Sequence, residues 1–299
     1  MIRVSLFGGL GNQMFQYAAG KALAKRHGVE LALDLSGFRV DRLRSFMLNT
    51  LRVPEAASDL PAVEAGYFFR ARRRQRIERA LGRVGLPKLP SFSDGYLEPH
   101  FHYDPAFANL GARTQLFGYF QSERYFSPIA EEICGYFQPR EPLGLIAAEV
   151  AREISQSVLP VSVHVRRGDY VQAATAAVHG VLDEEYYRKA LVDIERRLGS
   201  RPRLFVFSDD LDAATRVLNF VPQEHVVYVR SDPERPWDDM MLISKCRHHV
   251  IANSSFSWWG AWLNRAADKI VVAPRAWFTE KGLQTRDTRD IYPTGWVQI

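Results

Sequence analysis

Hydrophobic and polar positions alternate with two different periods along this chain, and these periods predict strands and helices. Residues 2–7 carry the apolar Ile2, Val4 and Leu6 at alternate positions and end at Gly8-Gly-Leu-Gly11, which predicts a strand followed by a turn. Residues 12–27 have the composition of a helix, which Gly28 ends, and residues 29–35 predict a second strand. The chain therefore opens with a βαβ unit.

The alternation becomes regular again after residue 155. Further strands are predicted at 161–165, 203–207, 226–229, 248–252 and 269–273, and helices at 183–198, 211–219, 237–246 and 256–267. Short connections between alternating strands and helices are typical of a doubly wound parallel sheet. We therefore expect an α/β protein with two Rossmann-like domains, 1–155 and 156–299, whose parallel sheets face a cleft. Whether the last helix packs back on the first domain stays open.

Composition places the chain among globular proteins. It has 299 residues, 46% of them hydrophobic, and a formal net charge of +5. Its two cysteines, Cys134 and Cys246, match no metal-ligand spacing, so we expect reduced thiols. The glycines that follow the first apolar run predict no signal peptide, and no apolar run approaches the roughly 18–20 residues of a membrane span. We expect a cytoplasmic protein, either free or peripheral at the inner membrane.

One segment carries a strong local charge. Between Arg70 and Lys88 there are eight basic residues and one acidic residue, Glu78. A solvated, partly helical arm explains the pattern, and so does contact with anionic lipid or with a pyrophosphate-linked acceptor. Because the charge is local and no nucleic-acid-binding module is visible, we expect no nucleic-acid partner.

Residues 161–169, Val-Ser-Val-His-Val-Arg-Arg-Gly-Asp, carry the most chemistry. The strand delivers His164, Arg166, Arg167 and Asp169 to its carboxyl end, where open α/β sheets bind ligands. Guanidinium groups grip phosphate oxygens bidentately and keep their charge. A carboxylate close to two adjacent arginines predicts a phosphate clamp.

Two further motifs follow strands in the same half of the chain. Ser208-Asp209-Asp210 ends one strand, and Asp210 either caps the next helix or accepts from guanine or a ribose hydroxyl. Asn253-Ser-Ser-Phe-Ser-Trp-Trp-Gly260 begins a helix, where hydroxyl and backbone N–H groups either cap it or bind phosphate. Phe256 is a candidate for shaping the donor pocket, whereas Trp258 and Trp259 are expected to pack.

The glycine-rich start is a weaker signal. Gly9, Gly11, Asn12 and Gln13 fit either a plain tight turn or a backbone that binds an anion or sugar. The segment is neither a Walker loop, since no Gly-Lys-Ser/Thr follows, nor the dinucleotide fingerprint, since Met14 occupies the position of the third small residue. No His, Cys, Asp or Glu set has metal-ligand spacing, so we expect neither a required metal nor another cofactor.

Taken together, the motifs resemble those of the bacterial α-1,2-fucosyltransferases, glycosyltransferase family 11. The matching segments occur in the family's order: Gly8-Gly-Leu-Gly-Asn-Gln-Met-Phe-Gln-Tyr-Ala18, His164-Val-Arg-Arg-Gly-Asp-Tyr170, Phe207-Ser-Asp-Asp210 and Asn253-Ser-Ser-Phe-Ser-Trp-Trp-Gly260. The resemblance implies a GT-B fold and inverting, metal-independent transfer of L-fucose from GDP-β-L-fucose. The implied acceptor is the 2-hydroxyl of a terminal galactose, or a similar sugar, in an oligosaccharide or a lipid-linked glycan.

The resemblance also implies roles for individual residues. The C-terminal domain would bind the nucleotide sugar and the N-terminal domain the acceptor. Arg166 would bind the β-phosphate and Asp169 would orient that arginine. The implied donor-binding residues are His164, Arg167, Gly9, Gly11, Asn12, Gln13, Ser208, Asp209, Asp210, Asn253, Ser254, Ser255 and Phe256.

The general base and two other function classes stay open. Asp169, Glu98, His100 and Asp104 are candidate bases, and a salt bridge to Arg166 would make Asp169 a poor one. A transferase of another nucleotide sugar remains an alternative, as does a nucleotide-linked oxidoreductase or a sugar-nucleotide sensor. Binding of UDP-sugars or of NAD would favour these alternatives.

Overall fold

A computed structural model describes residues 1–39, 44–55, 73, 74, 77, 95–167, 178, 180–284 and 286–299. These residues form two compact units. The N-terminal unit comprises Met1–Arg140 with Asp287–Tyr292, and the C-terminal unit comprises Glu141–Arg286 with Pro293–Ile299. The units thus divide near residue 140, whereas the sequence suggested residue 155. The assignment of acceptor to one unit and donor to the other stays a prediction.

The N-terminal unit is built on a four-stranded parallel sheet. Its strands are β1 (Ile2–Ser5), β2 (Leu31–Asp34), β3 (Gly95–Leu97) and β4 (Gln115–Phe117), in the order β2-β1-β4-β3. Helix α1 (Leu10–Arg26) connects β1 to β2, and α2 (Ala130–Tyr136) follows β4. Gly20 of α1 lets this helix lie close to the sheet, because a Cβ there would be 3.0 Å from Leu31 Cδ1 and 3.1 Å from Val4 Cγ1.

The C-terminal unit contains a six-stranded parallel sheet. Its strands are β5 (Pro160–Val165), β6 (Arg203–Ser208), β7 (Val226–Tyr228), β8 (His248–Val250), β9 (Val271–Ala273) and β10 (Val297–Gln298), in the order β10-β9-β8-β5-β6-β7. Its helices are α3 (Leu145–Gln156), α4 (Glu184–Leu198), α5 (Leu211–Val217), α6 (Pro236–Lys245), α7 (Ser255–Leu263) and α8 (Glu280–Leu283). This is the doubly wound α/β arrangement that the sequence predicts.

Alternate residues of β6 show why this sheet is buried on both faces. Leu204 and Val206 join a core with residues of α4, whereas Phe205 and Phe207 join a second core with residues of α3 and α6. Successive strand side chains point to opposite faces, so helices must cover both. The polar residues in the middle of β5 and β8, Ser162 and His249, are buried and bond to each other at 2.8 Å, so the polar groups left for a ligand lie at the strand ends.

The strands and helices predicted for the C-terminal unit are confirmed with small differences in their bounds. Helix α7 ends at Leu263 rather than at residue 267. Asn264 causes this early end, because its amide Nδ2 lies 2.8 Å from the carbonyl of Cys246 and 2.9 Å from His249 Nε2. Cys134 and Cys246 are not joined in a disulfide.

Candidate active site

Three neighbouring strands of the C-terminal sheet end in the polar motifs. β5 lies between β8 and β6, and their carboxyl ends lead into His164–Arg167, Asn253–Ser255 and Ser208–Asp210. From β5 the chain winds towards β6 and β7, whereas from β8 it winds towards β9 and β10. The direction therefore reverses between β5 and β8, and ligands of open α/β sheets bind outside the carboxyl ends of strands at this point.

An ion pair joins the first two motifs. Arg166 Nη1 lies 2.9 Å from Asp209 Oδ2, and the backbone N–H of Arg167 donates to Asp209 Oδ1 at 2.8 Å. The arginine and aspartate side chains are 21% and 26% exposed, so a ligand can still reach the guanidinium. Asp209 thereby fixes the guanidinium of Arg166, which is permanently positive, at the carboxyl edge of the sheet.

Sequence reasoning missed this pairing. It named Asp169 as the partner of Arg166, but residues 168–177 lie outside the described chain, so the role of Asp169 stays a prediction. The register of β5 against β6 pairs Val165 with Ser208, and the next residues along are Arg166 and Asp209. Both follow their strands directly, which is the signal that could have identified the pair.

His164 is a buried and neutral histidine at the same edge. Burial, together with the smaller effect of the nearby positive charge of Arg166, lowers its pKa to about 3. Its Nδ1 has no hydrogen-bond partner among the described residues. The ring lies 5.9 Å from that of Phe256, the second residue of α7, so the β5 and β8 motifs also meet. A neutral imidazole offers one donor and one acceptor to a ligand.

The Ser208–Asp210 segment forms its own local turn. The hydroxyl of Ser208 donates to the carbonyl of Asp210 at 2.9 Å and accepts from the N–H of Asp210 at 3.0 Å. The carboxylate of Asp210 accepts from the N–H of Ala213 at 2.9 Å and so caps α5. The capping interpretation is therefore confirmed, and a contact between Asp210 and guanosine stays a prediction.

The serines at the start of α7 combine capping with a helix start that is buried to half-buried. The hydroxyl of Ser254 accepts from the N–H of Phe256, and Asn253 Nδ2 donates to the carbonyl of Trp277 at 3.2 Å. Trp258 and Trp259 are fully buried with ring centroids 5.0 Å apart, which confirms that they pack in the core. The first turn of a helix leaves backbone N–H groups for an anion, and phosphate binding at the start of α7 stays a prediction.

The glycine-rich turn lies in the N-terminal unit. Gly8 has φ of 78°, and a Cβ there would be 2.8 Å from Asn12 Nδ2, so only glycine fits without strain. Gly9 is the N-cap of α1, and Gly11 is buried within the helix. The glycines thus form the tight turn that was one of two interpretations, and contact with a ligand stays a prediction.

The amide side chains after this turn have structural partners. Gln13 is fully buried; its Nε2 donates to the carbonyls of Gly8 and Ser45, and its Oε1 accepts from the N–H of Met47. Both N–H groups of Gln13 are used in this way, so the geometry gives no support to its predicted contact with the donor. Asn12 is half-buried and accepts from Gln121 Nε2 at 2.8 Å.

The three candidate bases of this unit differ in how they are bound. Asp104 accepts from the N–H of Ala106 at 2.9 Å and from the hydroxyl of Tyr96 at 2.7 Å. His100 Nδ1 lies 2.9 Å from the carbonyl of His102. Glu98 accepts only from the backbone N–H groups of Tyr119 and Phe120 in the part of the chain described.

Comparison with known proteins decides the family. The model of Glycosyl transferase family 11 matches residues 102–299. The chain belongs to glycosyltransferase family 11. This family 11 chain is 33% identical to the alpha-1,2-colitosyltransferase of Escherichia coli, over 98% of this chain and 97% of that protein. It is 35% identical to the O-antigen biosynthesis glycosyltransferase WbnK of Escherichia coli, over 91% of this chain and 93% of that protein.

A solved structure bears on the fold of this family 11 chain. A mutant of Arabidopsis thaliana FUT1 in complex with GDP superposes with a TM-score of 0.50 at 12% identity, covering 90% of this chain and 69% of that chain. At this identity the likeness concerns the fold alone. Together with the two parallel-sheet units it confirms the predicted GT-B class.

The described residues bear on metal binding and on membrane insertion. They contain no cluster of three His, Cys, Asp or Glu side chains that could hold a metal ion, and independence from metal stays a prediction. None of the described helices has the length and hydropathy to cross a membrane. The basic segment 70–88 lies outside the described residues except for Arg73, Arg74 and Ile77, so its membrane or acceptor contact also stays a prediction.

Proposed function

We propose that this family 11 glycosyltransferase transfers L-fucose from GDP-β-L-fucose to the 2-hydroxyl of a terminal galactose or a similar sugar. The transfer inverts the anomeric configuration and needs no metal. The observation that carries the proposal is the Arg166–Asp209 ion pair, which holds a guanidinium at the reversal point between β5 and β8. A diphosphate leaving group needs positive charge at such a place.

The residues around the ion pair bind different parts of the donor. Arg166 binds the β-phosphate, and the first turn of α7, with Ser254 and Ser255, binds the pyrophosphate. His164 and Phe256 line the donor pocket beside it. The remaining donor contacts are Arg167, Ser208, Asp209, Asp210 and Asn253, and those of the N-terminal unit are Gly9, Gly11 and Asn12.

The chemistry follows from where charge develops. As the bond between the sugar and GDP breaks, negative charge grows on the β-phosphate and the sugar gains oxocarbenium character. Arg166 stabilises that charge by Coulomb attraction, as a metal ion does in other transferases. Loss of one such electrostatic donor commonly reduces turnover by about 10²–10³. Asp209 contributes by fixing the guanidinium before the reaction begins.

A colitosyl donor is the second candidate. The 33% identity to an alpha-1,2-colitosyltransferase over 98% of this chain favours it. Colitose is fucose without the 3-hydroxyl, so the two donors share the nucleotide, the diphosphate and the reacting carbon. A donor pocket that hydrogen-bonds the 3-hydroxyl rejects the donor lacking it by about 10⁴–10⁵, whereas an apolar pocket discriminates about 10–200-fold.

The similarity to WbnK, an O-antigen biosynthesis glycosyltransferase, supports a galactose-terminated glycan of the O-antigen class as acceptor. Such units are carried on lipid diphosphates, which suits the basic segment 70–88 and peripheral contact with the inner membrane. We propose free galactosides as working substrates and the lipid-linked glycan as the native one.

The test is a transfer assay with purified protein in EDTA. GDP-fucose, GDP-colitose and UDP-galactose are each offered with galactoside acceptors, and the linkage is determined by NMR spectroscopy. We expect an α-1,2-linked product from GDP-fucose with an initial rate unchanged by added Mg²⁺. Preference for GDP-colitose by more than about 200-fold would establish the second candidate. Transfer from UDP-galactose, or from GDP-sugars only with Mg²⁺, would contradict the proposal.

A further inference from the structure

The carboxyl edge of the N-terminal sheet carries further polar groups besides the proposed donor contacts Gly9, Gly11 and Asn12. Glu98 directly follows β3, residues 118–121 follow β4, and the glycine turn follows β1. β1 connects to β2 on one side of the sheet, while β4 lies on its other side and pairs with β3. The carboxyl ends of these parallel strands lie at one edge of the sheet, and ligands of open α/β sheets bind outside the carboxyl ends of strands.

The backbone of this edge is shaped around the Glu98 carboxylate. Its Oε2 accepts from the N–H of Tyr119 at 2.7 Å and its Oε1 from the N–H of Phe120 at 3.0 Å. Phe120 has φ of 53°, a left-handed conformation that is unusual for a bulky residue. A Cβ on Gly118 would lie 2.4 Å from Glu98 Cβ, so only glycine leaves room for this side chain.

We propose that Glu98 is the general base of the transfer and accepts the proton of the acceptor's 2-hydroxyl; the inference rests on the proposed function. The acceptor oxygen forms a bond to the anomeric carbon as the bond from that carbon to the phosphate oxygen breaks. The electron pair of the broken bond leaves with GDP. The hydroxyl proton moves to a carboxylate oxygen of Glu98, which later returns it to solvent.

The electrostatics of Glu98 suit this role. Burial of its carboxyl outweighs the two N–H bonds, which favour the charged form, and together with the charges of Asp104 and Asp290 it raises the pKa of Glu98 to about 8. No cation forms an ion pair with it in the described chain. The other ionisable groups around it are Tyr96 and Tyr125, which it influences electrostatically, and Arg124, which pairs with Asp290 at 3.4 Å.

The other acidic candidates lack this combination. Asp104 caps the turn that begins at Pro105 through its bond from Ala106 and also accepts from Tyr96, and Asp209 forms an ion pair with Arg166. A carboxylate held by a cation is a weak base, whereas a base whose pKa lies near the working pH transfers protons efficiently. Each oxygen of Glu98 accepts one backbone N–H and has a further lone pair for a hydroxyl.

The test compares Glu98→Gln with the wild type and with Glu132→Gln, an exposed helix residue of the same unit that pairs with Lys25. Single-turnover rates with GDP-fucose and a galactoside are measured from pH 6 to pH 9.5. The deprotonated base is the active form, so the wild-type and control rates should rise with pH and level off above about 8. Glu98→Gln should lose about 10²–10⁴ of the rate and the pH-dependent rise, with GDP affinity unchanged.

A purely structural role for Glu98 predicts a different outcome. Glu98→Gln would then keep the wild-type pH profile, and any rate loss would be accompanied by weaker GDP binding or a lower melting temperature. That result overturns the inference, as does a wild-type single-turnover rate that is independent of pH between 6 and 9.5, which needs no variant. If the wild type transfers neither fucose nor colitose, the proposed function fails first, and the two failures are distinguishable.

Discussion

Arg166 and Asp209 show how single residues define the candidate donor site. Neither side chain is deeply buried, and a surface ion pair contributes only about 0–1 kcal/mol to stability. The presence of this ion pair is therefore better explained by its position at the strand ends than by its contribution to the stability of the fold. It fixes the direction of a guanidinium at a strand end, so little reorganisation is needed when a phosphate binds there.

His164 gives a prediction at this scale. Its folded-state pKa of about 3 lies below the ordinary 6.5. Between these values the unfolded chain binds a proton that the folded protein does not, so stability falls as pH drops from 6.5 towards 3. One such group contributes a slope of about 1.4 kcal/mol per pH unit.

His164→Phe removes this titration and keeps an aromatic ring beside Phe256. We expect the free energy of unfolding, measured by urea denaturation at pH 7, 6, 5 and 4, to depend less steeply on pH in the variant. Both proteins keep the pH dependence that comes from the buried His249, whose pKa is also lowered, so the variant retains a residual slope. Parallel pH dependence in the two proteins would show that His164 is not held neutral.

Residue identities were predicted from sequence better than residue partners. The positions of His164, Arg166 and Arg167 at the end of a buried strand follow from apolar runs and their polar ends. That Asp209 is the partner of Arg166 depends on which strands are neighbours in the sheet. The order of the strands along the chain does not give this. The burial of Gln13 depends in the same way on residues 45–47, which are distant in sequence and show no periodicity.

At the scale of secondary-structure elements, the close packing of α6 against α7 shows how one residue determines the separation of two helices. A Cβ on Gly260 of α7 would lie 2.4 Å from Cγ2 and 2.8 Å from Cβ of Ile243 on α6. These are not distances that a flexible side-chain end can relieve. The glycine of the Asn253–Gly260 motif therefore sets the separation of the two helices, and with it the start of α7 at the donor edge.

Gly260→Ala should accordingly lower the free energy of unfolding by about 1–3 kcal/mol, through overpacking. Gly135→Ala is the matched control, because Gly135 lies in helix α2 and a Cβ there meets nothing within 4 Å. The control should gain up to about 1 kcal/mol from helix propensity. Urea denaturation of both variants measures the difference, and an equal effect of the two substitutions would contradict the packing argument.

Elements with their own periodicity were predictable and those defined by tertiary pairing were not. The strands and helices of residues 160–273 follow from alternating apolar runs and glycine or capping stops. β3 and β4 have only three residues each and lie among prolines and aromatics, so the pairing of β4 with β1 and of β3 with β4 decides them. β10 has two residues and exists only because it pairs with β9.

Two parallel sheets with polar groups at their carboxyl edges are the basis of function at the scale of the whole molecule. These groups are Arg166 and the start of α7 in one unit, and Asn12 and Glu98 in the other. The proposed division of labour follows from their chemistry. A fixed cation and helix N–H groups suit a diphosphate, whereas a carboxyl without a cationic partner suits a hydroxyl.

Nucleotide binding by calorimetry in EDTA tests the central claim most directly, since it needs no acceptor. GDP, GDP-fucose, UDP-galactose and NAD are titrated into the wild type, Arg166→Ala and the control Arg152→Ala, whose side chain is 72% exposed. We predict that GDP and GDP-fucose bind selectively, and that Arg166→Ala weakens this binding at least about tenfold, since charge-assisted hydrogen bonds contribute roughly 1.5–3 kcal/mol. Binding of UDP-galactose or NAD instead, or equal GDP affinity in wild type and Arg166→Ala, would contradict the account.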